Sequence, residues 1–577
     1  MKNKTWVLSN KNLANDLPNY KKWNKFSSYS NFDIKQKGES DFNSFTIGHV
    51  IPRNEIYEQY KNYEKNELIY HLYKRFGKEF IHKVKGNFTI VIIGGENFHI
   101  YSDRFGIKKF YYWYDGEVFV ISNDLKTITK NVTAKPSAEN MAIYALTYHF
   151  VGGKTIFENI NHNKPAEVIT YKAGKLMFGK YWDAGDLLSS ERKDFSIEEI
   201  SESLTKSVEQ SLGSIDSASI SLSLTGGADT RNLLSVFLKL GIKPHLYTYG
   251  NPHSDDCVKA SAIARGLNLE HTIHDIRMNP ELFDEYAKFI IKSGQSLASI
   301  HRAHRIISVQ REGDFAENMF LGTLGGEFVK GVSEDDYIVP SIVYENWYEE
   351  SLSDIIISRK IEEKSLFKKY IDLADVTSFL NSELYFKGDS TNRKFHALSH
   401  ITASLHDAQD LNLYEIVMEN VFTPFLDIDY LEILFASQFT FNNKEAIKNK
   451  YLRRIENPVY GSKFLEITYP PLLDYEYSGD HIPREVLFNK YYAALTKVIR
   501  KRTRTKYPPN FPLDNWMYDF VVKELPKCND YDILKKTFNV SKLINDLSTK
   551  EYLPKESFWL RFTNPIMMKY ILDEYSN

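Results

Sequence analysis

The sequence contains very little cysteine. Its 577 residues include only Cys257 and Cys528, so a framework of disulfide bonds is excluded and a cysteine-rich zinc site is not expected. So low a cysteine content is typical of a reducing compartment, and we therefore expect a cytoplasmic protein.

Long apolar runs and an excess of either charge are also missing. The longest apolar run near the N-terminus, FTIVIIGG, is much too short to span a bilayer, and residues 1–20 contain no signal-peptide core. The 73 basic and 75 acidic residues leave a formal net charge of -2. Without a basic excess, the sequence predicts neither a nucleic-acid partner nor a membrane partner.

Two hydrophobic periods divide the chain, which is too long for a single core. Up to about residue 130, short alternating apolar runs end at Gly, Asn or Asp, which predicts antiparallel strands and hairpins. A last hairpin ends near Asp186. From Phe195 the period is helical, starting with a capping-box pattern at Ser196–Glu199, and strands then alternate with helices as in a parallel sheet. Beyond about residue 280 the pattern is mainly helical.

The stretch SLSLTGGADT joins an apolar strand to an amphipathic helix through two glycines. In a parallel α/β sheet, ligands lie outside the carboxyl ends of the strands, where the next helix presents free N–H groups. Gly226 and Gly227 allow the backbone to approach an anion, Thr225 and Thr230 add hydroxyls, and Asp229 offers a carboxylate suited to Mg²⁺. The spacing is not that of a Walker loop. A tight turn that uses glycine for geometry alone is the open alternative.

The order hydroxyl–Gly–Gly–x–Asp–hydroxyl resembles the pyrophosphate-binding loop of the ATP pyrophosphatases. The next βαβ unit, with its strand ending at Tyr249, and the PFLD element at Pro424–Asp427 resemble the asparagine synthetase group. In the N-terminal half, GNFTIVII, YSDRFGIKKFYYW, VFVISNDLKTI, TIFENI and KYWD follow one another as in the class II glutaminase domain of that family. The resemblance covers roughly residues 45–480.

The resemblance implies a fold of two domains. The first is an α+β, N-terminal-nucleophile-type αββα sandwich, a degenerate glutaminase-like domain at residues 1–188. The second, at residues 189–577, is an ATP-pyrophosphatase domain, an α/β parallel-sheet fold of the adenine nucleotide α-hydrolase type with C-terminal helices.

The same resemblance implies ATP and Mg²⁺ as cofactors and a set of site residues. Pyrophosphate is expected at Thr225, Gly226, Gly227 and Thr230, the metal at Asp229, the nucleoside at Leu222, Tyr249, Leu321 and Gly322, and catalysis at Asp229, Glu327 and Lys463.

The N-terminal half departs from the family at the residues that hydrolyse glutamine. The family needs an N-terminal cysteine nucleophile, whereas this chain begins Met1-Lys2-Asn3 and has no cysteine before Cys257. The Asn-Gly oxyanion pair falls at Ile47-Gly48, and the Asp that holds the glutamine amine falls at Asn66. We expect a domain that no longer hydrolyses glutamine and serves as a scaffold or surface.

The catalytic half departs at LGTLGGE, Leu321–Glu327, which aligns with the family loop Ser-Gly-Glu-Gly-Ser-Asp-Glu. Thr323 replaces the first Glu and Gly326 replaces the metal-binding Asp, while Glu327 is retained. Asp229 is then the only family metal ligand left. Either Glu327 or one of Asp255 and Asp256 compensates, or the nucleotide phosphates hold most of the magnesium. Lys463 is the nearest candidate for the family's adenylate-stabilising lysine, although the pattern around it does not match.

Three charged motifs have a plain interpretation beside a functional one. HRAHR (His301–Arg305) is expected as a solvated helix face, with substrate binding as the alternative. VIRKRTRTKY (Val498–Tyr507) is expected as a solvated charge run, with an acidic peptide or partner protein as the alternative. HDAQD (His406–Asp410) fits a helix-face ion pair.

The function that these observations favour is an ATP-dependent, amide-forming ligase that works through an acyl-adenylate and releases AMP and pyrophosphate. Its substrate bears a carboxylate, and we favour intramolecular ring closure of a precursor peptide or other secondary metabolite, as in lasso-type macrolactams. A leader-peptide-binding or protease partner would accompany that role. The alternatives are an ammonia-dependent asparagine synthetase and a nucleotide-binding pseudoenzyme or scaffold.

Overall fold

The structure is a computed structural model of the chain. It describes residues 4–13, 17–23, 25–32, 42–187, 193, 195–215, 219–330, 373–384, 398–440, 450–504, 506–511, 513–548 and 556–576. The predicted domain boundary at residue 188 lies outside the described residues and stays a prediction. Within these ranges, no helix has the length and apolar content needed to cross a bilayer.

Two antiparallel sheets form the N-terminal half. The first has the order β11-β9-β10-β1-β3-β2 and the second β13-β12-β8-β7-β4, while β5 and β6 pair with each other. The strands are β1 (Trp6–Ser9), β2 (Asn19–Trp23), β3 (Phe26–Ser30), β4 (Phe42–Gly48), β5 (Ile51–Pro52), β6 (Val84–Lys85), β7 (Phe88–Gly94), β8 (Asn97–Ser102), β9 (Tyr111–Tyr114), β10 (Phe119–Ser122), β11 (Ile160–His162), β12 (Glu167–Lys172) and β13 (Lys175–Lys180).

The two sheets share an aromatic core because strand side chains alternate between the two faces. Trp6 packs against Phe45 of the second sheet with ring centroids 5.6 Å apart, and Phe26 packs against Phe98 at 5.1 Å. Val7, between Trp6 and Leu8, points to the opposite face and joins the core beneath the helices. The predicted α+β character of this half is confirmed.

Helices cover the outer faces of both sheets. Leu68 and Leu72 of α2 pack on the second sheet, and helices α3 and α4 pack on the first. The helices of this half are α1 (Tyr57–Tyr60), α2 (Lys65–Phe76), α3 (Leu125–Asn131) and α4 (Ala138–Thr147).

A parallel sheet organises the second half, as the alternation of strands and helices predicted. Its order is β16-β15-β14-β17-β18 and every pairing is parallel. The strands are β14 (Ile220–Ser223), β15 (His245–Tyr249), β16 (His271–His274), β17 (Asn318–Phe320) and β18 (Asn420–Phe422). The capping box before this sheet is confirmed, because Ser196 and Glu199 exchange side-chain and backbone hydrogen bonds at the start of α5 (Ile197–Leu212).

Helices flank this sheet and make up most of the C-terminal region, as predicted. After α5 they are α6 (Ala228–Lys239), α7 (Asp255–Gly266), α8 (Pro280–Ser293), α9 (Ala303–Glu312), α10 (Glu327–Lys330), α11 (Leu373–Leu384), α12 (Ala408–Tyr414), α13 (Ile428–Ala436), α14 (Lys450–Thr468), α15 (Pro483–Phe488), α16 (Lys490–Thr503), α17 (Leu513–Glu524), α18 (Asp532–Thr537), α19 (Val540–Ser548) and α20 (Glu556–Tyr575), with a π-helical segment at Leu398–Asp407 before α12.

Buried ion pairs join the two halves at the PFLD element. Lys85 of β6, whose side chain is 3% exposed, contacts Asp427 at 2.7 Å and Asp429 at 2.8 Å. Arg53 contacts Asp429 at 2.7 Å and Glu432 at 2.5 Å. Burial lowers the pKa of Lys85, but the charges of the two aspartates outweigh burial and raise it above the ordinary lysine value. The charged pair therefore acts as a fixed link between the halves.

Candidate functional site

The Gly-Gly loop lies at the carboxyl edge of the parallel sheet. Leu222 is fully buried in the central strand β14, and the strand leads through Thr225 and Gly226 to Gly227, the N-cap of α6. Strands β15 and β17 flank β14 in parallel. Tyr249 at the end of β15 and Leu321 after β17 therefore reach the same edge, as predicted for the nucleoside contacts.

Hydrogen bonds between residues close in sequence hold the loop in shape. The hydroxyl of Thr225 accepts from the N–H of Gly227 at 3.1 Å, and the N–H of Thr225 donates to the hydroxyl of Thr230 at 3.3 Å. Gly227 caps α6 without a side-chain hydrogen bond in the described structure. The first turn of α6 thus turns backbone N–H groups toward the loop, the arrangement that helix N-termini use for anions.

One acidic side chain already engages this loop. The N–H of Gly226 donates to Asp256 Oδ1 at 3.1 Å, and the hydroxyl of Ser478 donates to the same oxygen at 2.9 Å. A Cβ atom on Gly226 would lie 2.0 Å from the Ser478 hydroxyl. Only glycine fits there, and an incoming anion has to displace Asp256 from that N–H.

The second Gly-Gly loop packs directly against the first. A Cβ atom on Gly322 would lie 2.9 Å from the backbone nitrogen of Thr230, and one on Gly325 would lie 2.7 Å from the ring of Phe425. The two loops that the sequence singled out, more than ninety positions apart, are therefore neighbours, and the PFLD element supports the second of them.

A cavity of about 520 Å³ opens between the two loops. Gly227 and Asp229 form part of one wall, and Gly325 and Gly326 form part of another. The remaining lining residues are Ala228, Asn232, Val329, Pro458, Tyr460, Gly461, Tyr477, Ser478, Gly479, His481, Lys497 and Lys501. The structure thus brings the predicted Gly227 and Asp229 together with a space large enough for a small ligand.

Tyrosine hydroxyls that the sequence did not indicate border the cavity. Burial raises the pKa of Tyr477 to about 12, with the charge of Asp229 adding to the effect and that of Arg231 opposing it. Burial likewise raises the pKa of Tyr460. The buried Tyr477 hydroxyl has no hydrogen-bond partner among the described residues, so it remains able to donate to a ligand.

The cations at the cavity differ from the one predicted. Lys497 and Lys501 of α16 line it, and Lys497 donates to His481 at 2.9 Å. Lys463 is exposed and is not among the lining residues, whereas Tyr460 and Gly461 of the same helix are. On a helix Lys463 lies about 200° from Gly461 but only about 60° from Tyr460, so it is the exposure of its side chain that separates it from the lining residues. Its catalytic role stays a prediction.

The nucleoside edge is covered by a segment from the C-terminal region. The N–H of Asn251 donates to the carbonyl of Asn510 at 3.0 Å, and the ring of Phe511 lies 5.7 Å from that of Tyr249. A Cβ atom on Gly250 would lie 1.9 Å from Asn510 Oδ1. The predicted contacts of Leu222, Tyr249, Leu321 and Gly322 with a nucleoside remain predictions.

The HRAHR and HDAQD motifs form one buried cluster, which corrects the expectation of a solvated face for HRAHR. Arg302 is 1% exposed and contacts Asp410 at 2.5 Å, and Arg305 contacts the same carboxylate at 2.6 Å. Arg302 also donates to His406 at 2.6 Å. Burial raises the pKa of Asp410, but the two arginines outweigh it and lower the pKa below the usual value.

Glu327 borders this cluster. Burial, and after it the charge of Glu327, raises the pKa of Asp407 well above its usual value. Thr323, in the same loop as Glu327, is half-buried. The charge of the predicted catalytic Glu327 is thus coupled to the HDAQD motif, and its catalytic role stays a prediction.

Magnesium fits this site only as an ion carried largely by a ligand. The described residues contain no group of three or more His, Cys, Asp or Glu side chains placed to hold a metal. Asp229 supplies one carboxylate at the cavity. Mg²⁺ binds commonly through one or two carboxylates together with substrate phosphates, so Asp229 with a polyphosphate forms a suitable donor set.

Gly48, which the sequence aligned with the family's oxyanion glycine, is closely packed by the protein itself. A Cβ atom on Gly48 would lie 2.1 Å from the carbonyl of Asn87 and 2.8 Å from Lys108 Cε. Lys65 donates to the carbonyl of Gly48 at 3.0 Å. Lys108 in turn pairs with Glu415 of the second half. The predicted scaffold role agrees with this packing and stays a prediction.

Residues 52–182 match the family described as glutamine amidotransferase domain. The chain is 22% identical over 214 residues to glutamine-hydrolyzing asparagine synthetase 3 of Bacillus subtilis (strain 168), covering 35% of this chain and 34% of that protein. It is 25% identical over 221 residues to putative glutamine-hydrolyzing asparagine synthetase 2 of Methanocaldococcus jannaschii, covering 35% and 42%. The chain thus spans only about a third to two fifths of the curated relatives that it matches.

Similarities to solved structures are weaker. NMN synthetase from Francisella tularensis is 15% identical, with 37% of this chain and 97% of that chain covered and a TM-score of 0.21. Glutamine phosphoribosylpyrophosphate amidotransferase from B. subtilis is 9% identical, with 52% and 67% covered and a TM-score of 0.20. TM-scores this low do not establish a shared fold.

The match to the family model identifies residues 52–182 as a glutamine amidotransferase-like domain. The sequence comparisons also confirm the resemblance to the asparagine synthetase family that the motifs predicted.

Proposed function

We propose that the protein is an ATP- and Mg²⁺-dependent ligase that forms an amide bond through an acyl-adenylate. The observation that carries this proposal is the cavity between the two Gly-Gly loops, which combines the N-terminus of α6, Asp229 and two lysines. These are the groups that a polyphosphate needs: N–H donors and ammonium groups for its oxygens, and a carboxylate for its metal.

The chemistry takes place in two steps. A substrate carboxylate oxygen attacks the α-phosphorus of ATP, and the bond to pyrophosphate breaks. An amine then attacks the acyl carbon, AMP leaves with the C–O bonding pair, and the amine loses a proton. In this scheme Gly226, Gly227, Thr225 and Thr230 receive the pyrophosphate, and Lys497 and Lys501 stabilise its charge. Bound Mg²⁺ at Asp229 would neutralise the same charge.

The source of the amine is the next part of the proposal. The chain has no cysteine between residues 4 and 256, and the space around Gly48 is taken up by Lys108 and Lys65. This supports a ligase without its own glutaminase. We favour an amine on the substrate itself, and therefore ring closure of a precursor peptide to a macrolactam, with a leader-binding protein or protease as partner.

Two other functions have support from particular observations. The names of the curated relatives favour an asparagine synthetase, which here would take free ammonia. Gly326 in place of the metal-binding Asp, together with Asp256 on the Gly226 N–H, favours a nucleotide-binding scaffold without turnover.

Exchange of labelled pyrophosphate into ATP separates these functions. We expect exchange that depends on a carboxylate substrate and falls about 100-fold or more in Asp229→Asn, which removes a charge at the metal and phosphates. Mass spectrometry of a precursor peptide should then show loss of one water. Exchange supported by aspartate and ammonium would instead identify the asparagine synthetase.

Absence of exchange with every carboxylate, despite ATP binding, would leave the scaffold. Lys463→Ala is a useful companion variant, because the geometry predicts normal exchange for it, while the sequence alignment predicts a loss.

A further inference from the structure

Exposed apolar side chains concentrate on one helix of the described structure. Seven of its fourteen exposed large hydrophobic residues lie within residues 488–507, and the other seven are distributed over the rest. They are Phe488 (82% exposed), Tyr491 (59%), Tyr492 (48%), Leu495 (60%), Val498 (47%), Ile499 (54%) and Tyr507 (37%). Single exposed apolar residues are common, but a contiguous group marks an interaction surface.

Five of these side chains lie on α16 itself, and four of the five form one stripe along it. At 3.6 residues per turn, Tyr491, Leu495, Val498 and Ile499 fall within a sector of about 100°. Ala493, on the other side of the helix, is buried against the protein. The stripe therefore points away from the core, and we call it the α16 face.

The α16 face is bordered by cations on the side of the cavity. Helix α16 and the residues that follow it up to Phe511 contain no Asp or Glu. Arg500 and Arg504 are held by Glu485 and Asp480, whereas Lys501 is exposed and also lines the cavity. The apolar stripe and the proposed ligase cavity are thus two sides of the same helix.

We propose that the α16 face docks an acidic, amphipathic helical segment of a peptide substrate and so places its reactive carboxylate near the cavity. The role of this docking, which is to deliver a substrate carboxylate, rests on the proposed ligase function. The binding of the segment to the α16 face does not depend on it. The apolar stripe takes the apolar face of the segment, and Lys501 and Arg502 take its acidic side chains.

The charge distribution favours this occupant over two others. On a membrane-bound helix the basic side chains reach lipid headgroups beside the apolar face, whereas here Lys497 lines the cavity and Arg500 and Arg504 are paired with acidic side chains of the protein. In a pair of identical α16 faces, Lys501 and Arg502 of both copies would meet with like charge, which opposes association.

The test uses the full chain and a defined probe. The probe is a fluorescein-labelled peptide of about 18 residues, with leucines at i, i+3 and i+4 positions and glutamates elsewhere; a scrambled peptide of the same composition is its partner. Fluorescence anisotropy should show tighter binding of the patterned peptide. Val498→Glu and Leu495→Glu should each weaken it more than tenfold.

Val522→Glu is the matched control. Val522 lies on helix α17 and is 46% exposed, close to the 47% of Val498, so the same charge is added to an equally exposed valine elsewhere. Circular dichroism should be unchanged in all three variants. We expect Val522→Glu to bind the patterned peptide as the wild type does.

Three results would overturn the docking proposal. The first is equal binding of the patterned and scrambled peptides, or no binding of either. The second is binding of the protein to anionic lipid vesicles that Val498→Glu abolishes. The third is a dimer in solution that Val498→Glu dissociates. Pyrophosphate exchange with a small carboxylate should not change in Val498→Glu. A wild-type protein that exchanges pyrophosphate but does not prefer the patterned peptide would refute only the docking, and a wild-type protein that binds the patterned peptide without any exchange would refute only the ligase.

Discussion

Gly48 ends strand β4 in the first half and Gly227 caps helix α6 just after strand β14 in the second, and their surroundings are opposite. A Cβ atom on Gly48 would meet a carbonyl at 2.1 Å and Lys108 at 2.8 Å, while one on Gly227 would meet only the Thr225 hydroxyl, at 3.1 Å. Gly227 also borders a cavity of about 520 Å³. The backbone at Gly48 is closely packed, whereas the backbone at Gly227 faces an open cavity.

Contacts of the first half reach the residues that support the cavity in the second half. Lys108, which packs beside Gly48, forms an ion pair with Glu415 of the second half, and Lys85 pairs with Asp427 and Asp429. Asp427 belongs to the PFLD element whose Phe425 supports Gly325 of the open cavity. We therefore expect the first half to stabilise the walls of the site in the second half.

The largest expected effect is on the link between the halves. Lys85→Met leaves Asp427 buried without its cation and Asp429 with Arg53 alone, so the free energy of unfolding should fall by about 3–5 kcal/mol. Because the aspartates raise the pKa of Lys85 above its usual value, this contribution is present at neutral pH and is lost only as the pH rises through the raised pKa. Urea unfolding measures it.

Lys135→Met is the control for that experiment. Lys135 pairs with Glu158 on the surface with 70% of its side chain exposed, and we expect little change in stability there. Equal effects of the two substitutions would show that the link does not stabilise the halves.

The second prediction compares the two pockets by ligand. At 100 times its dissociation constant, Mg·ATP should raise the free energy of unfolding by about 2.7 kcal/mol through mass action. Glutamine should produce no shift, since Lys108 and Lys65 fill the space at Gly48. Thermal unfolding with each ligand measures both effects. A shift with glutamine would show that the first pocket still opens.

The third prediction concerns the contact between the two glycine loops. Gly322→Ala places a Cβ atom 2.9 Å from the Thr230 nitrogen, and such overpacking should cost about 1–3 kcal/mol of stability and weaken ATP binding. Gly179→Ala is the matched control, because its Cβ atom would meet nothing within 4 Å. Calorimetry measures the affinity of both variants for ATP. Normal affinity in Gly322→Ala would show that the contact between the two loops does not affect ATP binding.

The smallest expected effect belongs to Tyr477. Removing its hydroxyl in Tyr477→Phe should weaken ATP or pyrophosphate binding by about 0.5–1.5 kcal/mol, or roughly threefold to tenfold. Since burial raises its pKa to about 12, the phenol stays protonated and the difference should be the same from about pH 6 to 9. Stability should not fall, because the hydroxyl has no partner in the described structure. Unchanged affinity would remove Tyr477 from the site.

Local patterns predicted much of this arrangement. The Ser196–Glu199 capping box, the strand before Thr225 and the parallel neighbours of β14 were all predicted from short-range spacing and are confirmed. Each of these features depends on residues that are close in sequence, or on the regular repeat of strand and helix.

Long-range pairings were missed for a physical reason. Lys497 and Tyr477 reach the cavity only because α14, α15 and α16 fold back over α6, and no local spacing specifies that packing. HRAHR was predicted to be solvated because its counter-charge, Asp410, is about a hundred residues away. Lys463 was chosen by alignment, but its side chain is exposed, and Tyr460 and Gly461 of the same helix line the cavity.

Helices α5 and α6 begin in opposite ways. Ser196 closes the first turn of α5 with its own hydroxyl, while Gly227 has no side chain to do the same for α6. A phosphate seated at Gly227 would complete α6 from outside, as a cap supplied by the ligand. Nucleotide would then act as a folding ligand, and its concentration would set how firmly the first turn of α6 is closed.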